Sequence, residues 1–421
     1  MEKMKLYDIA VVGAGASGLM AAIRAAEVRP GISIIVLEKN DEPAKKLYAT
    51  GNGRCNYLNR GASPKDYYSN EFPGAVPEAA EAVMTKNAVP AVTEMFRNMG
   101  IEPAEEEEGR MYPRSMQAKS IVQALVREAE SLGIEITCGF ETSAISKGST
   151  FSIESEDRTV FARRLILACG GKAGIQYGCT GDGYKFARGF GHTVIKPIPA
   201  LTQLVCAEDM NSLHGVRALG RISLLSVKDG AQSVEAEDRG EIQFTKDGLS
   251  GICTFNVSRF FKLAEGISYR AELDLLEEFS DEKLREMLLE RRLKFLEGKA
   301  GDLLLGLLPD RLGAYLVRRA GLDPEAPMRN LSIATAEKIA LLCKDLDFDL
   351  TQTKGWKEAQ VTAGGVALSE INNHTMESEL VKGLYFAGEL LDIDGPCGGY
   401  NLSWAFASGF IAGLNAAASL D

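Results

Sequence analysis

Six residues, GAGASG at Gly13 to Gly18, constrain this chain more than any others. They stand between a short β-type run, Tyr7 to Val12, and an Ala-rich helical stretch, Leu19 to Val28; a second β-branched run follows at Ile32 to Leu37. Strand, glycine turn, helix and strand in that order predict a βαβ unit, with Pro30 and Gly31 breaking helix from strand. The second strand is continuously apolar, which predicts burial on both faces and therefore a parallel sheet.

At GxGxxG spacing Gly13 permits the tight turn, Gly15 admits a pyrophosphate close to the backbone, and Gly18 lets helix and strand pack. The helix then points its N-terminus at the phosphates. Glu38 lies about 20 residues beyond Gly18, at the end of the second strand, where a carboxylate accepts hydrogen bonds from an adenosine ribose and repels the extra phosphate of NADP. The fingerprint predicts a dinucleotide and leaves NAD and FAD open.

The chain has 421 residues, 45% hydrophobic and 25% charged, an ordinary folded composition with length for two or three domains. Its 47 Lys and Arg against 58 Asp and Glu leave a net charge of −11, which repels phosphate backbones and anionic membrane surfaces. No nucleic-acid and no membrane partner is expected. The eight cysteines include no CxxC, so neither a zinc framework nor a disulfide scaffold is indicated, and a reducing, cytoplasmic setting is expected. MEKMK and the apolar run after it imitate a signal peptide, but Asp8 and the glycines interrupt it. Residues 395–420 carry no charge, yet Asn401, Ser403, Ser408 and Asn415 favour a buried helix over a membrane span.

Further along, the periodicity changes twice. Thr193 to about Phe255 alternates strand-like runs with turn pairs such as Asp229-Gly230 and Asp247-Gly248, and Asp281 to about Cys343 switches to helical spacing with Leu-rich stripes. After Trp356 the dinucleotide-fold character returns, with GLYFA at Gly383 to Ala387 as a strand and a final helix from about Asn401. The expected fold class is α/β: a Rossmann-like domain with a central parallel sheet, interrupted by a β-barrel-like domain and a helical domain. The expected boundaries are 1–191 and 359–421 for the interrupted domain, 192–275 and 346–358 for the β-rich insertion, and 276–345 for the helical one. The acidic run Glu105 to Glu108 reads as a solvated loop.

Four further segments carry a resemblance: KKLYATGNGRCN (Lys45 to Asn56), GRMYPRS (Gly109 to Ser115), LILACGG (ending at Gly171), and GLYFAGELLDIDGPCGGYNLSWAFASGFIAG (Gly383 to Gly413). From end to end the chain resembles the BaiN-like flavoproteins, the aminoacetone oxidase type within the glutathione-reductase-like FAD enzymes. The resemblance implies non-covalent FAD. It extends the cofactor set from Gly13, Gly15, Ala16, Ser17, Gly18, Glu38 and Lys39 to Lys45, Lys46, Gly53, Arg54, Cys55 and Asn56 along the flavin. It adds Cys169, Gly170 and Gly171 at the adenine half, Gly388 and Glu389 at the middle, and Asp394, Gly398, Gly399, Tyr400, Asn401 and Leu402 towards the pyrimidine edge. A helix N-terminus at Gly398-Gly399 suits the negative charge that a reduced flavin develops there. DRGEIQFTKDGLSG, Asp238 to Gly251, resembles the family's barrel motif, with Lys246 where His is usual and Ile252 where Pro is usual. Cys169 and Asn52 depart from the usual Thr and Gly.

The resemblance implies an FAD-dependent oxidoreductase that exchanges a hydride between flavin N5 and a small organic substrate at the interface of the FAD and inserted domains. Amine oxidation and reduction of an activated alkene both fall under the family label. Only one GxGxxG is present, which leaves the flavin's redox partner open, with NAD(P)H at a transient site as one option. The alternatives are a non-enzymatic flavoprotein, sensing redox state or binding a partner, and an RNA-modifying flavoenzyme, which the acidic balance opposes. No general acid or base is assigned. The three histidines, His192, His214 and His374, are too scattered for a metal site and read as structural or surface groups. Cys55 and Cys397 read either as redox-active thiols or as tight packing. Arg110, Tyr112 and Arg114 read either as substrate-orienting donors or as solvated pairs.

Overall fold

The computed structural model describes residues 5–420; Met1 to Met4, the start of the export-like pattern, lie outside the described residues. The chain divides into two compact units. One runs up to Pro199 and resumes at Gln360; the other is Ala200–Ala359.

The first unit is built on parallel strands in the order Glu135–Thr137, Ile34–Leu37, Leu6–Val12 and Thr159–Leu167. The far edge of Thr159–Leu167 is shared. Its first half carries the antiparallel meander Phe151–Glu154 and Ala144–Lys147, and its second half takes Leu384–Phe386 in parallel. Ile9, Ala10, Val11, Val36, Ile166 and Phe386 are fully buried, because layers cover both faces of the sheet. Register then does something no single strand could. Val12 is level with Leu37 and Leu167, and Leu167 with Phe386, so four strands end together at one edge of the sheet. The segments starting at Gly13, Glu38, Ala168 and Ala387 all leave from there, outside the carboxyl ends of a parallel sheet, where ligands of such folds bind.

The uncharged segment at the end forms the helix Tyr400–Ala418, largely buried. It runs alongside the first helix, Ala16–Val28, with Gly409 against Ser17 and Gly413 against Ala21. A Cβ on Gly409 or Gly413 would stand 2.3 Å or 2.1 Å from the Ser17 or Ala21 carbonyl oxygen. The other side packs on aromatic rings, with Phe406 edge-on to Phe96 at 5.0 Å between centroids. Among the described residues no helix is long and apolar enough to cross a membrane.

The second unit holds a closed six-stranded barrel, in the order Leu204–Cys206, Gly248–Ser250, Ala231–Phe244, Arg217–Lys228, Ile267–Asp274, Leu346–Thr353. Asp229-Gly230 turns its long hairpin. The helices Asp281–Lys294, Asp310–Arg319 and Ile333–Lys344 belong to the same unit, and their Leu284, Leu288, Leu312, Leu316 and Ile339 share one core with barrel residues Ile222, Leu273 and Phe348.

Candidate functional site

The glycine turn shows which of its glycines the protein itself requires. A Cβ on Gly18 would lie 1.9 Å from the Gly13 carbonyl oxygen, and one on Gly13 would lie 2.4 Å from that of Ala168. Gly15 is different: no described atom lies within 4 Å of the position its Cβ would take. Gly15 also begins the first helix, with no side-chain cap and no acid in the first turn, so the N–H groups of Ala16 and Ser17 have no intrahelical partner and no capping side chain. Ser17 is buried and packs against Gly388.

The second uncapped start is at Gly399, φ +96, where a Cβ would strike the Leu58 carbonyl oxygen at 2.4 Å. The two helices run in the same direction, and Ser408 stands level with Ala16. Tyr400 therefore lies about 12 Å ahead of the first helix's start at 1.5 Å rise per residue. Two positive helix ends thus face the same way, staggered along one line.

Charge is distributed around these ends in three ways. The buried Glu38 accepts the Ala14 N–H (2.9 Å) and both the backbone N–H and side-chain amide of Asn40 (2.9 and 2.7 Å). Lys39 is drawn to Asp182 (2.5 Å) and Thr180 (2.6 Å), and Lys45 to the exposed Asp41 (3.1 Å). Of the three lysines, Lys46 reaches the loop after Leu384–Phe386, where its Nζ lies 2.8 Å from Glu389, 343 residues away in sequence. Burial pulls the Lys46 ammonium down, but Glu389 and Cys179 together more than offset it, so its pKa stands above the usual lysine value. The other Glu389 oxygen accepts the Thr362 N–H at 2.8 Å, and the fully buried Thr362 hydroxyl accepts the N–H groups of Lys172 and Ala173. One network thus joins Lys46, Gly388-Glu389 and the loop after Cys169-Gly170-Gly171. Lys46→Met should destabilise the protein by about 1–2 kcal/mol in urea titration, less than the 3–5 kcal/mol of a fully buried pair because both side chains keep some solvent contact.

The segment from Gly51 to Asn56 is strongly contorted. Gly51, Asn52, Gly53 and Cys55 all have left-handed φ. Arg54 turns onto Tyr112 and pairs with Glu106 at 2.9 Å. Cys55 is fully buried, and burial pushes its thiol up to about 12, so it carries no thiolate at neutral pH and is a poor redox group. Cys397 is half-buried beside Gln360. Asn56 is buried against Gly399, its Oδ1 without a hydrogen-bond partner among the described residues. Burial also pushes the Cys169 thiol up to about 12. Asn401 spends its side chain on Gly395 and Pro396, the Tyr400 carbonyl accepts from Tyr67, and Asp394 pairs through its backbone with Tyr68.

Several supports have no sequence signature. Asn59 Nδ2 donates to both the Gly398 and Glu108 carbonyls, and Trp404 and Ser408 pin Gly388 from the closing helix. The acidic run is no simple solvated loop: Glu105, Glu106 and Glu108 pair with Arg60, Arg54 and Arg110, which neighbouring short strands bring alongside.

His192 is buried, 2.8 Å from Ser378 Oγ and 3.2 Å from Glu370. The Ser378 oxygen already accepts the N–H groups of Leu380 and Val381, so its hydroxyl donates to Nε2 and the ring proton sits on Nδ1, facing Glu370. Burial lowers the His192 pKa, outweighing Glu370. The unfolded chain therefore takes up a proton that the folded one resists, and stability should fall as pH drops below about 6.5. His192→Gln should flatten that slope in urea midpoints compared between pH 7 and pH 5.5. Among the described residues, no group of three or more His, Cys, Asp and Glu is placed to hold a metal ion.

The HI0933-like protein Rossmann domain matches residues 7–415. The chain belongs to the HI0933-like family. Within curated proteins it is 35% identical over 413 residues to the 3-dehydro-bile acid delta(4,6)-reductase of Clostridium scindens, covering 97% of this chain and 98% of that one. It is 27% identical over 410 residues to the ribosomal RNA dihydrouridine synthase of Escherichia coli, covering 96% of each. Among solved structures, the open conformation of a flavocytochrome c3 fumarate reductase shares the fold, with a TM-score of 0.50, 15% identity, and coverage of 100% of this chain and 80% of that one. The resemblance to BaiN-like flavoproteins thus extends over the whole HI0933-like chain.

Proposed function

We propose that this protein is an FAD-dependent reductase that saturates a carbon–carbon double bond conjugated to a carbonyl in a small organic molecule. The observation that carries the reading is the staggered pair of uncapped helix starts beside aligned strand ends. The residues present fit FAD: open space at Gly15, free N–H groups at both helix starts, and an orphaned acceptor on Asn56 beside the second. Bound FAD would supply reversible hydride exchange at its N5, which no side chain offers.

The chain's own groups have distinct tasks. Gly13, Gly15, Ala16, Ser17 and Gly18 present backbone to the pyrophosphate, and Glu38, with Lys39 behind it, faces the adenosine ribose. Cys169, Gly170 and Gly171 border the adenine half. Lys46 keeps Glu389 compensated beside the phosphates, while Gly388 keeps its turn tight against Ser17. Lys45, Gly53, Arg54, Cys55 and Asn56 form the wall along the flavin. Asp394, Gly398, Gly399, Tyr400, Asn401 and Leu402 build the helix start at the pyrimidine edge, where a positive end raises the reduction potential.

The reaction class is supported by the names of both relatives. A delta(4,6)-reductase removes double bonds near a 3-dehydro carbonyl, and dihydrouridine is uridine with one double bond saturated. The −11 net charge supports a small molecule over RNA. NAD(P)H is the proposed transient reductant. Anaerobic mixing with NADH and NADPH should bleach the flavin, and an enone should restore its colour. A colourless protein that takes up no FAD would falsify the reading; bleaching that no alkene reverses would leave a redox sensor instead.

A further inference from the structure

Two arginines converge on one tyrosine. The strand Arg110–Pro113 places Arg110 and Tyr112 on the same face. Tyr112 is buried, and the Arg54 guanidinium lies over its ring, 4.4 Å from the centroid, with Nη2 3.3 Å from the hydroxyl. Burial raises the Tyr112 pKa, while Arg54 and Arg110 both act on the same hydroxyl to lower it. Arg110 Nε stands 3.7 Å from where a Cβ on Gly398 would be, and Asn59 ties the Gly398 and Glu108 carbonyls together. The arginine pair therefore lies beside the turn that opens the closing helix.

The backbone around both arginines is strained. Cys55 follows Arg54 at φ +59, Asn52 precedes it at +55, and Glu108 comes two residues before Arg110 at +59. Non-glycine residues in this region are held only where surrounding structure insists on them, and they concentrate where a side chain must be aimed. The partners the arginines now hold are the half-buried Glu106 and the exposed Glu108, carboxylates whose pairs keep enough solvent contact to contribute little and exchange readily.

We propose that Arg54 and Arg110, with the Tyr112 hydroxyl beside Arg54, form a receptor for a carboxylate on the small-molecule substrate. The proposal rests on the reductase reading and adds the substrate's chemical class: an unsaturated organic acid. Guanidinium forks match carboxylate oxygens, and Glu106 and Glu108 act as placeholders that the substrate displaces. Because the whole chain repels anions at long range, recognition has to come from this local pair. Arg114, exposed and hydrogen-bonded through its backbone N–H to the Glu102 carbonyl, is outside the receptor.

The test is calorimetric titration of the full chain, with and without added FAD, using trans-cinnamate, its neutral isostere trans-cinnamamide, and phenyl phosphate. Cinnamate should bind at least about tenfold tighter than the amide. Arg54→Gln and Arg110→Gln should each erase that preference at an unchanged melting temperature, Arg110→Lys should retain part of it, and added salt should weaken it. Equal affinity for acid and amide, a preference that survives both glutamine variants, or tighter binding of phenyl phosphate than of cinnamate overturns the proposal. The FAD arm separates the two readings. A chain that binds no FAD but prefers cinnamate sinks the reductase and keeps the receptor; a yellow chain blind to the carboxylate sinks the receptor alone.

Discussion

Leucine in place of Gly15 should abolish FAD retention while leaving the fold intact. Gly15 has φ −82, which any residue adopts, and no described atom lies within 4 Å of its Cβ position. A Cβ there has no neighbour beyond the adjoining residues, and the change at the helix start costs at most about 1 kcal/mol. What the leucine fills is the approach to the Ala16 and Ser17 N–H groups. If a pyrophosphate sits there, affinity should fall by more than about a hundredfold, or 2.7 kcal/mol. Flavin fluorescence on dilution measures the loss, and the melting temperature of the cofactor-free chain should move by no more than about 5 °C. Gly18→Ala is the contrasting variant: its methyl would stand 1.9 Å from the Gly13 carbonyl, so stability itself should collapse. Normal flavin retention by Gly15→Leu would remove the pyrophosphate from this turn.

Gly413→Val should cost at least about 4 kcal/mol, the upper end of single-substitution effects. Its Cβ position lies 2.1 Å from the Ala21 carbonyl oxygen and 2.8 Å from the Ala21 carbonyl carbon, backbone atoms that no rotamer can move aside. The closing helix would have to lift off the first helix, giving up buried Phe406, Ala412 and Ala416 along its length. Gly148→Ala serves as the control: nothing lies within 4 Å of its Cβ position and its φ is not left-handed, so the change should stay within about 0.5 kcal/mol. Urea midpoints of both variants settle the comparison. A Gly413→Val chain as stable as its parent would mean that the two helices do not touch as described.

What could be read from the sequence was whatever local pattern encodes. The fingerprint glycines, the apolar strands, the switch to a barrel and helices, and the uncharged closing helix each announce themselves within a window of twenty residues. The supports of the candidate site do not. Thr362 is one threonine among many until the fold sets its hydroxyl against two N–H groups from Lys172 and Ala173. Lys46 and Lys45 are indistinguishable in sequence, yet one reaches Glu389 and the other an exposed Asp41, a difference fixed by the 3-10 turn they share. The acidic run misleads because its arginine partners arrive from Arg54 and Arg60, about fifty residues away. Cys55 left two readings open, reactive thiol or tight packing, and its full burial, which pushes the thiol up to about 12, favours packing.

The shared edge of Thr159–Leu167 bears on how the protein is made. On the ribosome, at roughly 5–20 residues per second, the strand's second half waits for Leu384–Phe386, and the apolar flank of the first helix waits for Tyr400–Ala418. During that interval the Ala200–Ala359 unit can close its barrel, while the earlier half stands with a sticky border exposed. Cofactor uptake is thereby deferred until these two late elements have been made, and a chain stalled before residue 384 should be a client for chaperones rather than a partial enzyme.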